Sequence, residues 1–240
     1  MTLLPHLYLP RQGPDRERAL QSYRDLAQGY DSTCTRIERV RLDAIDALNL
    51  QPGETVFDVA CGTGKTLIEL AHRVGPKGRV MGIEQSPEMT AIARRRIASA
   101  GLQGRVEMVM APAEEATLTG KADAMLFCFT QDVLQCTPAL MRLAANAASD
   151  CRVAVVGVRL QPWWYGWPVN LFMLVRSRHC FTTTRGLRAP WAPLARLCER
   201  FAVVRSYHAG MTYLAKGRMR GTADIPGSHH EINPAHAERP

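Results

Sequence analysis

The sequence has no long apolar run. Across its 240 residues, no stretch reaches the roughly 18 consecutive apolar residues of a membrane-spanning helix. The first ten residues, MTLLPHLYLP, lack the basic start and the long apolar run of a secretory signal peptide. We therefore expect no transmembrane segment and a cytoplasmic location.

Paired cysteines are also missing. No C-x-x-C motif occurs, and no histidine stands at a spacing suited to a zinc site. Scattered thiols of this kind stay reduced in a cytoplasm. We expect no bound metal, and free thiols at Cys34, Cys61, Cys128, Cys136, Cys151, Cys180 and Cys198.

One glycine turn, VFDVACGTGKT, lacks the glycine pattern of two common phosphate sites. A triphosphate loop, G-x-x-x-x-G-K-[ST], ending at Thr66 needs its first glycine at position 59, where Val59 stands. A dinucleotide fingerprint, G-x-G-x-x-G, beginning at Gly62 needs its third glycine at position 67, where Leu67 stands. Both phosphate-binding interpretations therefore fail.

Concentrated positive charge is nearly absent. The formal net charge is +8, but the basic residues are scattered, and the only tight run is Arg94-Arg95-Arg96, which we predict to lie in a helix. Scattered charge is typical of a solvated surface. Because no base-flipping motif occurs either, we expect no nucleic-acid partner.

Strand patterns alternate with helix patterns through the middle of the chain. Runs that are apolar on both faces indicate a covered parallel sheet. Ser86 suits a helix N-cap, and Pro87 suits the first helical position. With right-handed crossovers, the pattern predicts an α/β, doubly wound, mostly parallel seven-stranded sheet. The predicted strands are residues 55–59, 79–83, 106–110, 122–129, 152–158, 202–208 and 211–216.

The two ends of the chain and one insertion differ from this core. Residues 1–50 are predicted to form an N-terminal helical lid, and residues 51–217 the core. An aromatic cap is predicted at about residues 160–195, which hold all four tryptophans. The polar segment 218–240 is predicted to be a disordered tail.

Residues 56–64, VFDVACGTG, resemble the hhDhxxGxG signature of class I S-adenosylmethionine-dependent methyltransferases. The family's next marker is an acidic residue that ends the second strand, and Glu84 matches it about twenty residues after Gly64. Tyr30-Asp31 is similar to the Tyr-Asp pair of the ubiquinone and menaquinone methyltransferase branch. The resemblance covers about two thirds of the chain and implies a Rossmann-like fold.

The resemblance also implies a cofactor, S-adenosylmethionine, with S-adenosylhomocysteine as the product. Glycines let the backbone approach the ligand, and a carboxylate at the end of a strand can accept both ribose hydroxyl protons. The cofactor-binding residues implied are Tyr23, Tyr30, Asp58, Ala60, Gly62, Gly64, Glu84, Gln85, Met89, Ala113, Glu114 and Phe129.

The sequence departs from the family where adenine is recognised. Pro112 occupies the place of the aspartate in the family's usual Asp-Ala pair. Ala113 can still offer its backbone N–H. Glu114 either takes over the adenine amino group or starts a helix.

The motifs that mark nucleobase methylation are missing. No N-P-P-Y or D-P-P-Y follows the fourth strand, where Phe129-Thr130-Gln131-Asp132 stands, and no Pro-Cys nucleophile occurs. A sulfonium methyl is already activated, so positioning supplies much of the catalysis, and a base is needed only if the acceptor must lose a proton. We therefore predict metal-free, in-line methyl transfer.

The predicted cap offers the remaining acceptor surface. Its aromatic residues suit a planar or cationic acceptor, or alternatively pack the cap onto the sheet. The predicted substrate-binding residues are Thr130, Trp163, Trp164, Tyr165 and Trp167. The predicted catalytic residues are His179, His208 and Tyr165, although a lone histidine is often structural.

The acceptor predicted from these features is a nitrogen or oxygen of a small, mostly apolar or aromatic metabolite. One alternative is N-methylation of a phospholipid head group, because the apolar run 163–175 is followed by Arg176, Arg178 and Arg185. Another is a non-catalytic module that binds S-adenosylmethionine. Peripheral membrane contact, and a monomer or a homodimer, remain open.

Overall fold

The computed structural model describes residues 37–176 and 186–220, together with positions 17, 20 and 21. The side chains of residues 172–176 are not part of this description. The predicted lid residues Tyr23 and Tyr30, the predicted base His179 and the segment 221–240 lie outside the described residues.

Seven strands form one sheet. They are β1 (Thr55–Val59), β2 (Arg79–Glu84), β3 (Val106–Met110), β4 (Ala122–Cys128), β5 (Ala147–Val158), β6 (Cys198–Tyr207) and β7 (Thr212–Met219). Their order across the sheet is β3-β2-β1-β4-β5-β7-β6, with β1 to β5 parallel and β7 antiparallel to both of its neighbours. The predicted doubly wound, mostly parallel seven-stranded sheet is confirmed.

Helices connect the strands and cover both faces. They are α1 (Glu38–Ala47), α2 (Lys65–Val74), α3 (Pro87–Ser99), α4 (Gln131–Leu134), α5 (Thr137–Ala145), α6 (Trp163–Arg176) and α7 (Ala192–Ala195). The start of α3 follows the prediction, since the Ser86 hydroxyl accepts the Met89 N–H at 3.2 Å and Pro87 is the first helical residue. None of the described helices is long and apolar enough to cross a membrane.

A hydrophobic core lies on each face of the sheet. Successive residues of a strand point to opposite faces, so Phe57 and Phe127 belong to one core and Val56 and Leu126 to the other. Helices α4, α5 and α7 cover the first core, and α1, α2 and α3 cover the second. This double covering explains the continuously apolar strand runs in the sequence.

The edge of the sheet differs from its predicted boundaries. β6 begins at Cys198 rather than residue 202, because a bulge at Arg200, with φ of 49°, breaks the alternation of apolar residues. β7 continues to Met219, two residues beyond the predicted end of the core at 217. Arg218 pairs across the sheet with Arg152 and Glu199, so the predicted disordered tail does not begin at 218.

Candidate cofactor site

The glycine turn connects β1 to α2 and contains three residues in the left-handed backbone conformation. Ala60, Gly62 and Gly64 all have positive φ, at 53°, 57° and 73°. Backbone bonds hold the turn, because Cys61 N–H donates to the Ile83 carbonyl and Gly64 N–H to the Cys61 carbonyl, both at 3.0 Å. A left-handed conformation of this kind favours glycine.

Glu84 joins the turn to the end of β2. One carboxylate oxygen accepts the Gly62 N–H at 2.9 Å, and the other accepts the Ser86 N–H at 2.8 Å. Burial raises the pKa of Glu84, and these backbone N–H groups oppose the rise. Each carboxylate oxygen keeps a second lone pair, so Glu84 can accept further hydrogen bonds from a ligand in the pocket.

The two glycines of the turn serve different purposes. A Cβ on Gly62 would meet nothing within 4 Å, so the turn presents bare backbone to open space. A Cβ on Gly64 would lie 2.9 Å from both Ala93 Cβ and Leu67 Cδ1. Gly64 therefore lets α3 pack closely against the turn.

Asp58 lies behind the turn. It is fully buried, one of its carboxylate oxygens accepts the Thr66 hydroxyl, and the other has no hydrogen-bond partner. Burial raises the pKa of Asp58 from its ordinary 3.8 to about 7, with the Thr66 bond opposing the rise. Asp58 thus fixes the first turn of α2 from below.

Two adjoining pockets open at the carboxyl ends of β1 to β4. They share Ala60, Glu84, Gln85, Asp132 and Val133. The first also has Ile83, Ala111, Pro112, Ala113, Glu114 and Cys136, and the second Gly62, Met89, Cys128, Phe129, Thr130 and Gln131. In open α/β sheets ligands bind at this edge.

The pockets are acidic. Glu84, Glu114 and Asp132 line them, and no lysine, arginine or histidine is among the described residues of the lining. An acidic, half-buried wall attracts a cationic ligand and repels a pyrophosphate. The lining therefore favours a positively charged nucleoside over a dinucleotide.

The carboxyl end of β4 carries a strained residue next to an unsatisfied one. Phe129 has a φ of 60° and donates its N–H to the Val156 carbonyl at 2.7 Å. Thr130 is only 6% exposed, and its hydroxyl has no hydrogen-bond partner. Strained, non-glycine residues cluster at binding sites. Both residues line the second pocket, where the Thr130 hydroxyl is available to a ligand.

The structure brings most of the predicted cofactor-binding residues together, along with the predicted substrate-binding residue Thr130. Those that line the pockets are Ala60, Gly62, Glu84, Gln85, Met89, Ala113, Glu114, Phe129 and Thr130. Asp58 and Gly64 lie outside the lining and support the turn instead. The predicted aromatic residues are also outside it, at exposed positions of α6: Trp163, Trp164, Tyr165 and Trp167.

Of the predicted bases, His208 and Tyr165 are described. His208 lies in the turn between β6 and β7 with its Nδ1 3.1 Å from the Thr212 hydroxyl. The Tyr165 hydroxyl donates to Gln161 Oε1 at 3.2 Å. His208 lies near the carboxyl edge of the sheet, because its partner Thr212 pairs with Val158 at the end of β5. Tyr165 is in α6, which follows the end of β5. Neither residue lines the pockets.

Sequence reasoning missed several residues of the site. Val133 and Cys136 line the pocket from the segment after β4, and the only signal was their closeness to Thr130 in sequence. Arg96 belongs to the arginine run that we predicted to lie in a helix, and it does lie in α3. Its contact with the turn was not predicted: the guanidinium donates to the Thr63 carbonyl at 2.5 Å and bridges α3 to the glycine turn.

A parallel sheet with a glycine turn at its carboxyl edge and a carboxylate ending β2 defines a nucleoside-binding α/β protein. A family model described as "Methyltransferase domain" matches residues 50–159. The chain is 35% identical over 85 residues to a demethylmenaquinone methyltransferase of Oceanobacillus iheyensis, a match that covers 33% of this chain and 36% of that protein.

Two further relatives agree with that match. The ubiquinone/menaquinone biosynthesis C-methyltransferase UbiE of Geobacter sulfurreducens is 31% identical over 103 residues, or 41% of this chain and 40% of that protein. The N-methyltransferase NodS of Bradyrhizobium japonicum, solved with S-adenosyl-L-homocysteine, shares the fold with a TM-score of 0.62 at 12% identity. That alignment covers 84% of this chain and 98% of NodS. The chain spans about two fifths of the length of the curated relatives it matches.

Over the matched residues 50–159, the chain resembles the class I S-adenosylmethionine-dependent methyltransferases. S-adenosylmethionine is the cofactor of this family, and the residues present fit it. The bare backbone at Gly62 leaves room for a ligand, Glu84 has free lone pairs, and the acidic lining suits a sulfonium cation. The expected resemblance and the expected cofactor are confirmed.

Proposed function

We propose that this protein transfers a methyl group from S-adenosylmethionine to a small, mostly apolar or aromatic metabolite by in-line displacement, without a metal. The observation that carries the proposal is the pocket itself, in which Gly62 offers bare backbone beside the acidic side chains of Glu84, Glu114 and Asp132. When bound there, the cofactor supplies an activated methyl group on a sulfonium. The protein holds the acceptor in line and excludes water.

Glu84 accepts the ribose hydroxyls, and the turn around Gly62 lies against the amino acid end of the cofactor. Asp58 and Gly64 keep that turn in place through Thr66 and α3. Support comes from the position of Glu84, which is anchored to the turn by Gly62 and remains on the pocket wall.

Adenine recognition falls to Ala113 and Glu114. Pro112 has no carboxylate to receive the adenine amino group, but Glu114 lies one position beyond Ala113 on the same pocket wall. Burial raises the pKa of the Cys136 thiol, and the nearby Glu114 carboxylate raises it further. Both residues line the first pocket, which supports an inward-facing Glu114 whose carboxylate accepts the amino group.

Thr130 contacts the acceptor through its unpartnered hydroxyl. The aromatic residues of α6 that were predicted to bind the acceptor lie outside the pocket lining. His208 or Tyr165 takes a proton where the acceptor must lose one. The predicted Tyr23, Tyr30 and His179 complete the lid and the base, outside the described residues. Free thiols at Cys61, Cys128, Cys136, Cys151 and Cys198 support a reducing, cytoplasmic setting.

Nitrogen or oxygen is our proposed acceptor atom. Carbon is the second candidate, because two similar proteins are a demethylmenaquinone methyltransferase and a ubiquinone/menaquinone biosynthesis C-methyltransferase. An aromatic ring carbon of a quinone precursor would suit the apolar side chains of Val133 and Phe129 at the pocket.

Two measurements test the proposal. Calorimetry of the protein with S-adenosylmethionine, NAD and ATP should show binding of S-adenosylmethionine alone, and binding of a dinucleotide instead would refute it. Incubation with methyl-labelled cofactor and a metabolite extract should then label an apolar product. Tight binding without any labelled product would favour the non-catalytic module.

A further inference from the structure

The described part of α6 presents an apolar face to solvent. Trp163, Trp164, Trp167 and Leu171 have exposed fractions of 71%, 72%, 63% and 57%. At about 100° per residue these four side chains fall within an arc of about 100° around the helix. We call these four residues the aromatic face. Exposed apolar patches of this kind mark contact with a protein or a membrane.

One flank of α6, next to the aromatic face, anchors the helix. Asn170 bonds the backbone of Gln161 twice, accepting its N–H at 2.8 Å and donating to its carbonyl at 2.9 Å. Gly166 lies against the same residue, since a Cβ on it would come within 2.3 Å of Gln161 Cβ. The Gln161 amide in turn donates to the Gly210 carbonyl of the β6–β7 turn. The aromatic face therefore borders the anchored flank of a helix that is fixed to the core, and its four side chains remain exposed.

The sequence around the aromatic face is uniformly basic. Between Cys151 and Cys198 there is no aspartate, glutamate or lysine, and every charged residue is an arginine. Arg188 and Arg196, on either side of α7, are both exposed. The backbone N–H of Leu160 donates to the Leu187 carbonyl at 2.7 Å, which holds Arg188 beside the start of α6.

We propose that the aromatic face docks onto an anionic lipid surface. Tryptophan side chains settle at the boundary between acyl chains and head groups, and arginines beside them pair with anionic phosphates. A second copy of the chain fits less well, because a two-fold contact would bring one basic segment against another. α6 spans Trp163–Arg176, which suits a helix lying in the interface plane.

This docking goes beyond the proposed function and gives it a route for the acceptor. α6 follows the end of β5, at the same edge of the sheet as the pockets. A protein resting on the aromatic face holds this edge near the bilayer, where an apolar acceptor is concentrated. Lipid binding requires no methyl transfer. Lipid binding can therefore fail while cofactor binding persists, and cofactor binding can fail while lipid binding persists.

The test is flotation of the full chain with vesicles of phosphatidylcholine, alone or mixed with phosphatidylglycerol. Binding is expected to the mixed vesicles and to weaken in high salt. Brominated acyl chains should quench tryptophan fluorescence, which adsorption through scattered arginines would not cause. The variant Trp164→Ala/Trp167→Ala should partition at least about tenfold less. Trp191→Phe, at a half-buried tryptophan packed edge-on against Tyr213, should bind normally.

Further measurements test whether the variants are folded and whether a second copy of the chain occupies the aromatic face. Both substituted tryptophans are exposed, so the unfolding transition and the affinity for S-adenosylmethionine should be unchanged. Arg188→Glu/Arg196→Glu should abolish the preference for phosphatidylglycerol. Absence of binding, unquenched fluorescence, or equal binding by the tryptophan variant would overturn the proposal. So would a dimer that the tryptophan variant dissociates, since a second copy would then occupy the aromatic face.

Discussion

Gly82 and Leu67 face each other across the interface between β2 and α2. A Cβ on Gly82 would approach Leu67 Cδ2 to 3.0 Å and Met108 Sδ to 2.7 Å. A dinucleotide fold uses a third glycine on the helix for close packing on the sheet. Here the helix carries leucine, and the glycine lies on the strand.

Gly82→Ala should therefore be destabilised by about 1 to 3 kcal/mol through overpacking, and Leu67→Ala by about 2 to 5 kcal/mol through a cavity. In the double variant the new methyl enters the space that the leucine vacates. The free energy of unfolding of the double variant, measured in urea, should fall by clearly less than the sum of the decreases in the two single variants. Gly104→Ala, at a glycine with nothing within 4 Å of a Cβ, is the control and should be neutral. Additive effects within about 0.5 kcal/mol would mean that the two sites do not share this space.

Gly62→Ala should weaken cofactor binding in addition to lowering stability. Both Gly62 and Gly101 have positive φ, 57° and 66°, with nothing within 4 Å of a Cβ. Alanine at either position should lower the free energy of unfolding by about 1 to 2 kcal/mol. Only Gly62→Ala places a methyl group in the pocket, so only it should lower the affinity for S-adenosylmethionine, by about tenfold or more in calorimetry. Equal affinities would remove Gly62 from the cofactor site.

The sequence allowed the sheet and the turn to be predicted because their patterns are local. Apolar runs marked the five parallel strands, and the spacing from Gly62 to Glu84 placed both at one edge of the sheet. Packing between distant residues was not predictable. The contact of Gly64 with Ala93, the bond from Arg96 to Thr63 and the exposure of the tryptophans all depend on how elements meet in space.

Glu84→Ala should weaken the binding of S-adenosylmethionine by about 1 to 3 kcal/mol, the value of a hydrogen bond to a charged group. It also leaves the Gly62 and Ser86 N–H groups without their acceptor, so the unfolding temperature should fall as well. Glu84→Gln keeps one acceptor oxygen but turns its NH₂ group toward one of those donors. Its affinity for S-adenosylmethionine should fall between those of the unchanged protein and Glu84→Ala. Glu199→Gln, on the exposed edge strand, is the control. Unchanged affinity in both Glu84 variants would exclude Glu84 from ribose recognition.

Asp58 should make the stability depend on pH. Its folded pKa of about 7 lies above its ordinary value of 3.8, so the folded state retains a proton that the unfolded state has lost between these values. The free energy of unfolding should therefore decrease as the pH rises through this window, by up to about 4 kcal/mol.

Asp58→Asn keeps an acceptor for the Thr66 hydroxyl without the charge. Urea unfolding at about pH 5 and about pH 8 should show a smaller decrease for this variant than for Asp46→Asn, at an exposed position of α1. Parallel pH profiles would show that Asp58 does not titrate in this range.

Asp132 should favour the binding of S-adenosylmethionine, which has a charged sulfur, over S-adenosylhomocysteine, which has a neutral one. It lines both pockets, so its carboxylate attracts the sulfonium of S-adenosylmethionine and gains nothing from the thioether of S-adenosylhomocysteine. Asp132→Asn should lower the affinity for S-adenosylmethionine by roughly fivefold, or about 1 kcal/mol, and leave the affinity for S-adenosylhomocysteine nearly unchanged. Calorimetry with both ligands measures the difference, and Glu115→Gln, at an exposed residue beside the pocket, should shift neither affinity. If Asp132→Asn lowered both affinities equally, its role would be to hold the start of α4, and the acidic lining would not account for recognition of the sulfonium.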